Sequence, residues 1–262
     1  MFRFQSLSEI RHDVSTRHGG VSRPPYDTLN VGYGTPDDEA TIAANRATLL
    51  DRMGVPPETV LAARLTHGNE VSLLRSGREK DWGVELRPVR HGSSRVERFF
   101  STDGVVSDVT GLHFLLTFAD CVPLLFHDPV RGVLGAAHAG WRGTAAGVGQ
   151  AIVETMVRSF GCRAGDIVAG IGPCIGPCCY SVREDVPATF ALQRREPVVE
   201  RRGGRLHLDL ARTNERQLRK CGVRAVEQAG ICTACNTHTF YSHRGEDGRT
   251  GRFAVVAGLP AA

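Results

Sequence analysis

The chain has 262 residues, 41% hydrophobic and 23% charged, which is ordinary for a globular protein that can bury a sizeable core. Its net charge of +4 is small for this length and its basic residues are scattered, so the composition disfavours nucleic acid as a partner. No apolar run approaches the roughly 18 residues of a membrane span, and the N-terminus lacks the apolar segment of a signal peptide. We therefore predict a cytoplasmic location and no membrane partner.

Apolar periodicity and turn residues predict strands and helices that alternate along the chain. The predicted strands share short apolar runs and lie within residues 10–33 and at 60–65, 70–74, 104–107, 112–118, 122–126, 133–137, 166–171 and 253–256. The predicted helices share capping residues and run from Thr35 or Asp37 to Gly54, from Gly143 to Gly161 and from Asp209 to about Cys221. The charged, patternless residues 75–98 and the Arg-rich residues 193–205 are predicted to be loops. Because hairpins mingle with the helices, we predict an α+β fold in a single domain, residues 1–262, with mixed and antiparallel sheets.

The centre of the chain is predicted to be a β-hairpin. Two apolar runs, residues 122–126 and 133–137, flank a turn segment that contains proline and glycine. Cys121 lies just before the first strand and His138 just after the second, so the register decides whether the two residues meet. A loop of two residues places them opposite each other, and a loop of four makes them diagonal neighbours on one face, with Cβ atoms roughly 4.5–8 Å apart. A loop of three residues would place them on opposite faces.

His67, Cys121 and His138 form a candidate metal site. Each lies where a strand meets a loop, and two imidazoles with one thiolate suit Zn²⁺ with a fourth position open for water. Such a zinc ion would bring the pKa of its bound water to about 7. Spacing alone cannot bring His67 to the hairpin. The alternative is a cysteine hydrolase, in which Cys121 is the nucleophile, His138 its base, and Asp120 or Arg142 a helper; it has no need of His67.

Three arginines are candidates for binding an anion. Arg17, Arg142 and Arg244 each lie near glycines, and a guanidinium can hold phosphate through two parallel hydrogen bonds. The helix predicted after Gly143 would add backbone amides that favour an anion beside Arg142. Multicopper oxidase chemistry would require paired His-x-His ligands, and the ten histidines form no such pair, so we predict zinc rather than copper.

Other cysteines are weaker candidates for a metal. The eight cysteines of a chain predicted to be cytoplasmic favour thiols, metal ligands or core packing over a disulfide framework. Cys232-x-x-Cys235 with His238 and His243 superficially suggests a zinc knuckle, but His238 follows Cys235 too closely for the usual spacing. The cysteines within residues 174–179 are interpreted as packed or incidental thiols.

Six motifs, in order between about residue 13 and residue 256, closely resemble the laccase-domain family of the YfiH type, also classed as polyphenol oxidases or FAMIN-like purine nucleoside enzymes. They are STRHGGVS, LTHGNEV, TFADCVPLLFHD, GAAHAGWRGTAAGV, GIGPCIGPCCYSV and FYSHRGEDGRTGR. In this resemblance the family's zinc ligands fall on His67, Cys121 and His138. The resemblance also implies a layered α/β/β/α fold.

The activity that the resemblance implies is zinc-dependent phosphorolysis of adenosine, inosine, guanosine and methylthioadenosine, together with deamination of adenosine. The expected partners are therefore small-molecule nucleosides and phosphate, and the expected assembly is a monomer or small homo-oligomer. Deamination would require a general acid or base, for which Asp120 is a candidate, although a regular strand would point its side chain away from Cys121. Some bacterial relatives are linked to peptidoglycan precursor editing, so the alternatives are a Cys121/His138 hydrolase acting on such precursors and a non-catalytic zinc or nucleoside-binding protein.

Overall fold

A computed structural model describes residues 1–78, 85–88 and 96–261, and within them the strands form two six-stranded sheets and one three-stranded sheet. The strands are β1 (Arg11–Val14), β2 (Val60–Arg64), β3 (Val71–Leu74), β4 (Glu85–Pro88), β5 (Val96–Ser101), β6 (Gly104–Ser107), β7 (His113–Phe118), β8 (Val122–Asp128), β9 (Val133–Ala139), β10 (Val168–Ile171), β11 (Ser181–Val182), β12 (Val198–Arg202), β13 (Arg205–Asp209), β14 (Ala225–Gln228) and β15 (Phe253–Gly258). The α-helices are α1 (Glu39–Met53), α2 (Trp141–Ala146), α3 (Val148–Phe160), α4 (Asp185–Leu192) and α5 (Leu210–Lys220).

The two large sheets pack face to face. The first has the strand order β1-β15-β7-β2-β5-β4 and the second β14-β10-β8-β9-β6-β3, with parallel and antiparallel pairs in both. Side chains between them form one core, in which Phe114 and Val255 of the first sheet pack with Leu125 and Leu134 of the second. Because alternate residues of a strand point to opposite faces, β7 and β8 contribute side chains to cores on both of their faces.

Helices cover the outer face of each large sheet. On the first sheet, Leu49 of α1 packs in a core with Leu115 of β7. On the second sheet, Ile152 of α3 and Leu218 of α5 pack in a core with Leu124 of β8. The layers are therefore helix, sheet, sheet and helix, which confirms the predicted α+β class and the α/β/β/α arrangement implied by the resemblance.

The hairpin β8–β9 has the four-residue loop, one of the three registers that the sequence left open. Asp128 pairs with Val133, and Pro123 pairs with His138, so Cys121 and His138 are diagonal neighbours. The Asp128 carboxylate accepts two backbone N–H groups of the loop, at 2.9 and 3.0 Å. These hydrogen bonds favour the four-residue loop over the alternatives of two or three residues.

The first helix begins later than the sequence predicts. Asp38 is its N-cap and accepts the backbone N–H of Thr41, so the predicted caps Thr35 and Asp37 are wrong. The Asp37 carboxylate instead accepts hydrogen bonds from side chains of the preceding loop. The predicted end is confirmed, because Gly54 has a φ of 62° and closes the helix in the left-handed conformation.

The helix predicted after Gly143 begins at Trp141 and is broken into α2 and α3 at Gly147. A φ of 80° at Gly147 ends α2 in the left-handed conformation, and the start at Trp141 places Arg142 in the first turn. The predicted apolar stripe is confirmed for its fully buried members Val148, Ile152 and Met156.

Two predicted loops contain strands. Residues 193–205 include β12, which pairs with β13 through a turn at Gly203 and Gly204; the prediction failed because the strand is exposed and polar rather than alternating. Residues 75–98 include β4 and the first residues of β5, and the remainder of that prediction falls partly on residues 79–84 and 89–95, outside the described residues. Within the described residues, every helix is too short or too polar to cross a membrane.

Candidate active site

Cys121 and His138 lie in the wall of a cavity of about 740 Å³. Both side chains lie next to Gly140. A Cβ atom added at Gly140 would be 3.0 Å from Cys121 Sγ and 3.8 Å from His138 Cε1. A glycine therefore leaves the space in which the two side chains meet. The volume is within the range of about 300–1,000 Å³ that small-molecule sites occupy.

His67 reaches the same cavity from the other large sheet. It follows β2, and its ring centroid is 5.0 Å from that of His138. Its φ of 63° is left-handed, a conformation that costs a non-glycine residue roughly 1 kcal/mol or more. The Asp103 carboxylate holds this turn by accepting the backbone N–H groups of Thr66, His67 and Gly68. The fold thus brings together the three residues that the sequence predicts as metal ligands.

The donor types of these three residues, two imidazoles and one thiol, suit a zinc ion. His138 Nδ1 is buried and has no hydrogen-bond partner among the described residues, so a donor atom is available. Burial, with the neighbouring His67, lowers the pKa of His138 to about 3, which keeps its imidazole in the neutral form that binds metals. One thiol and two imidazoles match the soft and borderline donors of a three-ligand zinc site.

The same electrostatics disfavour a Cys121/His138 ion pair. Burial, with the negative charge of Asp120, raises the pKa of Cys121 to about 12, while the pKa of His138 is lowered. A thiolate–imidazolium pair requires the opposite shifts. Cys121 therefore keeps its proton near neutral pH unless a cation replaces it, which favours the metal interpretation over the cysteine hydrolase.

Asp120 lies in the bend between β7 and β8 with a left-handed φ of 89°, so the alternation of a regular strand does not set the direction of its side chain. Its carboxylate accepts hydrogen bonds from the hydroxyls of Thr233 and Ser242, at 2.7 and 2.6 Å, and from the backbone N–H of Arg244 at 2.6 Å. Three donors occupy this buried group, so we interpret Asp120 as a positioning residue that anchors the loop of Arg244 rather than as the general acid or base.

Two of the three predicted anion-binding arginines line the cavity. Arg142 lies over the ring of Trp141, and Arg244 lies over the ring of Tyr180. Arg17 is not among the lining residues. Its buried guanidinium forms an ion pair of 2.8 Å with Glu246 and makes further hydrogen bonds to backbone carbonyls.

The cavity also contains residues that the sequence analysis did not single out. These are further arginines and aromatic side chains, namely Arg46, Arg64, Arg252, Tyr33, Phe99, Trp141 and Tyr180. Burial lowers the pKa of Arg252. The neighbouring Cys121 and Asp120 oppose this shift, because a negative charge on either would stabilise the guanidinium cation. Its place in the motif FYSHRGEDGRTGR was a signal that could have identified it.

A family model described as multi-copper polyphenol oxidoreductase laccase matches residues 11–260. The chain belongs to this family. Among its relatives, the purine nucleoside phosphorylase YlmD of Bacillus subtilis is 32% identical and is matched over 98% of this chain and 91% of its own length. A purine nucleoside phosphorylase of Deinococcus radiodurans is 37% identical over 96% of this chain and 90% of its own length.

Family membership extends to the three-dimensional structure. The crystal structure of YlmD from Geobacillus stearothermophilus aligns with a TM-score of 0.86 and 31% identity, over 98% of this chain and 94% of that chain. The resemblance inferred from the six sequence motifs is therefore confirmed, both in sequence and in fold.

Proposed function

We propose that this laccase-domain protein is a zinc-dependent purine nucleoside phosphorylase that accepts adenosine, inosine, guanosine and methylthioadenosine and also deaminates adenosine. The observation that carries the proposal is the convergence of His67, Cys121 and His138 in a cavity lined by arginines and aromatic rings. The names of the Bacillus and Deinococcus relatives support the phosphorylase activity.

The charge of the cavity suits phosphate. Among the described residues, five arginines line it, at positions 46, 64, 142, 244 and 252, and Asp120 is the one carboxylate. The Asp120 oxygens are already hydrogen-bonded within the protein. A phosphate dianion entering this space would exchange water for guanidinium donors. Arg142 and Arg244 are the best placed of the predicted residues to orient it, since both are exposed and line the cavity.

The aromatic side chains suit a purine. Tyr33, Phe99, Trp141 and Tyr180 line the same cavity as the arginines, and flat rings offer surfaces on which a base can stack. A nucleoside and a phosphate together have a size that a cavity of about 740 Å³ can hold. In phosphorolysis an oxygen of hydrogen phosphate forms a bond to the ribose C1′ and the glycosidic C–N bond breaks. The phosphate gives up its proton, and the leaving purine takes up one proton at nitrogen.

When bound, zinc would supply a Lewis acid and a water of lowered pKa. His67, Cys121 and His138 would hold it, and Asp103 would fix the turn that carries His67. The remaining task of the chain is to bind and align phosphate and nucleoside, because correct alignment of two reactants accelerates their reaction strongly.

The test measures metal content and products together. Wild-type protein, His67→Ala, Cys121→Ser and the control Cys162→Ser, a buried cysteine that is not among the residues lining the cavity, are incubated with adenosine and phosphate. We expect the wild type and the control to yield adenine with ribose 1-phosphate, and inosine with ammonia, and the two site variants to lose both products and the metal of this site.

Two results would contradict the proposal. Full turnover by metal-free His67→Ala would favour the cysteine hydrolase with Cys121 as its nucleophile. A protein that retains its zinc but converts none of the four nucleosides would favour a non-catalytic binding role.

A further inference from the structure

Four cysteines from two distant loops converge outside the active-site cavity. Cys178 and Cys179 follow β10, and Cys232 and Cys235 follow β14. Their four Sγ atoms all lie within 4.8 Å of one another, and Cys235 Sγ is 3.5 Å from that of Cys178 and 3.4 Å from that of Cys179. Cys232 and Cys235 therefore lie beside Cys178 and Cys179 rather than in a zinc knuckle with His238.

Backbone hydrogen bonds fix the two loops against each other. Cys174 donates its N–H to the carbonyl of Ile231, and Thr233 donates its N–H to the carbonyl of Cys174, at 3.2 and 3.0 Å. This bridge sets Cys232 beside the loop that carries the adjacent cysteines. Because Cys178 and Cys179 lie in a turn rather than in a strand, their side chains need not point to opposite sides.

Gly176 leaves room for the sulfur atoms. Its backbone N–H donates to Cys232 Sγ at 3.2 Å, and a Cβ atom at Gly176 would lie 3.2 Å from both Cys178 Sγ and Cys232 Cβ. An amide hydrogen bond to a cysteine sulfur stabilises the thiolate, which is the form that binds a metal. The cluster is accessible from solvent, because Cys178 and Cys235 are exposed.

We propose that Cys178, Cys179, Cys232 and Cys235 bind a structural Zn²⁺ ion that is separate from the site of His67, Cys121 and His138. A tetrahedral zinc ion with Zn–S bonds of about 2.3 Å holds its sulfur atoms about 3.8 Å apart, which lies between the shortest distances here and the limit of 4.8 Å. Four thiolates complete the coordination and leave no position for water. Such closed sites are structural, and the x-x spacing of the second pair is typical of them.

The site joins a loop of the active-site wall to a second loop that supports this wall. Ile175 and Tyr180, on either side of the first cysteine pair, line the cavity. Thr233, next to Cys232, donates its hydroxyl to Asp120, which in turn accepts the backbone N–H of Arg244. A metal at this position would cross-link the chain segments that hold Asp120 and Arg244 in place, so it would stabilise the cavity without contacting a substrate.

Metal analysis of the full-length protein, purified in reducing buffer, tests the proposal. We expect two zinc ions per chain in the wild type, one in His67→Ala, one in Cys235→Ser, and none in the double variant. Loading with Co²⁺ should produce an intense thiolate-to-cobalt charge-transfer absorption that persists in His67→Ala and is strongly reduced in Cys235→Ser. The matched control is Cys221→Ser, a half-buried cysteine outside the cluster, which should change neither quantity.

A second measurement needs no variant. In the wild type, alkylation mapped by mass spectrometry should modify the exposed Cys178 and Cys235 only after a chelator has removed the metal. The proposal is overturned if both thiols react as fully before chelation as after it, or if Cys235→Ser retains the full metal content.

Discussion

Asp103 holds His67 at the active site although the two residues lie on different segments of the chain. The Asp103 carboxylate accepts the backbone N–H of His67 at 2.6 Å, and it also accepts the N–H groups of Thr66 and Gly68. Several amides that point at one carboxylate stabilise a turn which His67 alone would adopt only at a cost, because its φ is positive. The orientation of the imidazole therefore depends on a residue that does not itself contact the cavity.

Asp103→Asn tests this dependence. One oxygen that accepts hydrogen bonds is replaced by an amide group that donates them, so at least one of the three backbone N–H groups loses its partner. We expect the affinity of the His67 site for zinc to fall by roughly 10- to 100-fold, the usual effect of removing an outer-shell partner of a metal ligand. The measurement is competition with a chromophoric chelator. Asp108→Asn is the control, since Asp108 accepts the backbone N–H of Ser76 away from the cavity, and an equal loss there would contradict the assignment.

Gly140→Ala should damage the site without damaging the fold. The added Cβ atom would lie 3.0 Å from Cys121 Sγ, closer than ordinary van der Waals contact, so the thiol must move. Gly140 is a helix N-cap with an ordinary φ of −69°, so we expect a change of at most about 1 kcal/mol in the free energy of unfolding. The expected result is a loss of zinc affinity on the order of 10-fold. Gly34→Ala, which lines the same cavity but has no atom within 4 Å of the new Cβ, should retain wild-type affinity.

Substitutions of the three predicted arginines should affect either phosphate binding or protein stability, depending on whether the arginine lines the cavity. Arg142→Gln and Arg244→Gln should each raise the KM for phosphate by about 10- to 100-fold, since a hydrogen bond to a charged group contributes roughly 1.5–3 kcal/mol. Arg17→Gln should instead reduce the free energy of unfolding by about 3 kcal/mol, because Glu246 loses its partner in a largely buried ion pair. Steady-state kinetics with varied phosphate and urea denaturation measure the two effects. A rise in phosphate KM for Arg17→Gln with unchanged stability would support its predicted role in phosphate binding.

The hairpin could be predicted from the sequence because the information that forms it is local. Apolar runs on both sides of a turn with proline and glycine fix its position, and they restrict its register to a few possibilities. The choice between these registers depends on the Asp128 carboxylate, which accepts the N–H groups of Val130 and Arg131. The helix stripe of Val148, Ile152 and Met156 was equally visible, because a period of 3.6 residues needs no partner from elsewhere in the chain.

The rest of the site depends on contacts between distant residues. Asp103 and His67 are 36 positions apart, Cys178 and Cys235 are 57 apart, and Arg17 and Glu246 are 229 apart. No spacing rule predicts that such residues meet, because their approach is set by the pairing of strands that are distant in sequence, namely β2 with β5, β10 with β14 and β1 with β15. The family resemblance predicted that His67 lies close to Cys121 and His138, whereas nothing in the sequence patterns predicted the contact between the two cysteine pairs.

Asp120 offers a test between positioning and acid–base catalysis. Asp120→Asn keeps one oxygen to accept the N–H of Arg244, and the hydroxyls of Thr233 and Ser242 can rotate to accept from the new amide. We therefore expect kcat to change by less than about tenfold, whereas removal of a general acid or base costs about 10²- to 10⁴-fold. Asp120→Ala should lose roughly 2–4 kcal/mol of stability, because buried donors are left without an acceptor. A collapse of kcat in a stable Asp120→Asn protein would assign the catalytic role to Asp120 after all.

The lowered pKa of the buried His113 predicts that the folded protein becomes less stable in acid. Burial, with the positive charge of Arg11, lowers the pKa of His113 to about 4, below the value of about 6.5 expected in the unfolded chain. The unfolded state therefore binds a proton that the folded state does not bind, so this contribution to stability is fully present above pH 6.5 and is lost as the pH falls toward 4. Between pH 7.5 and 5 the loss is about 2 kcal/mol. Urea denaturation of metal-free protein at the two pH values measures it, and His113→Gln should reduce the difference by that amount. An identical pH dependence in His113→Gln and the wild type would show that His113 does not contribute.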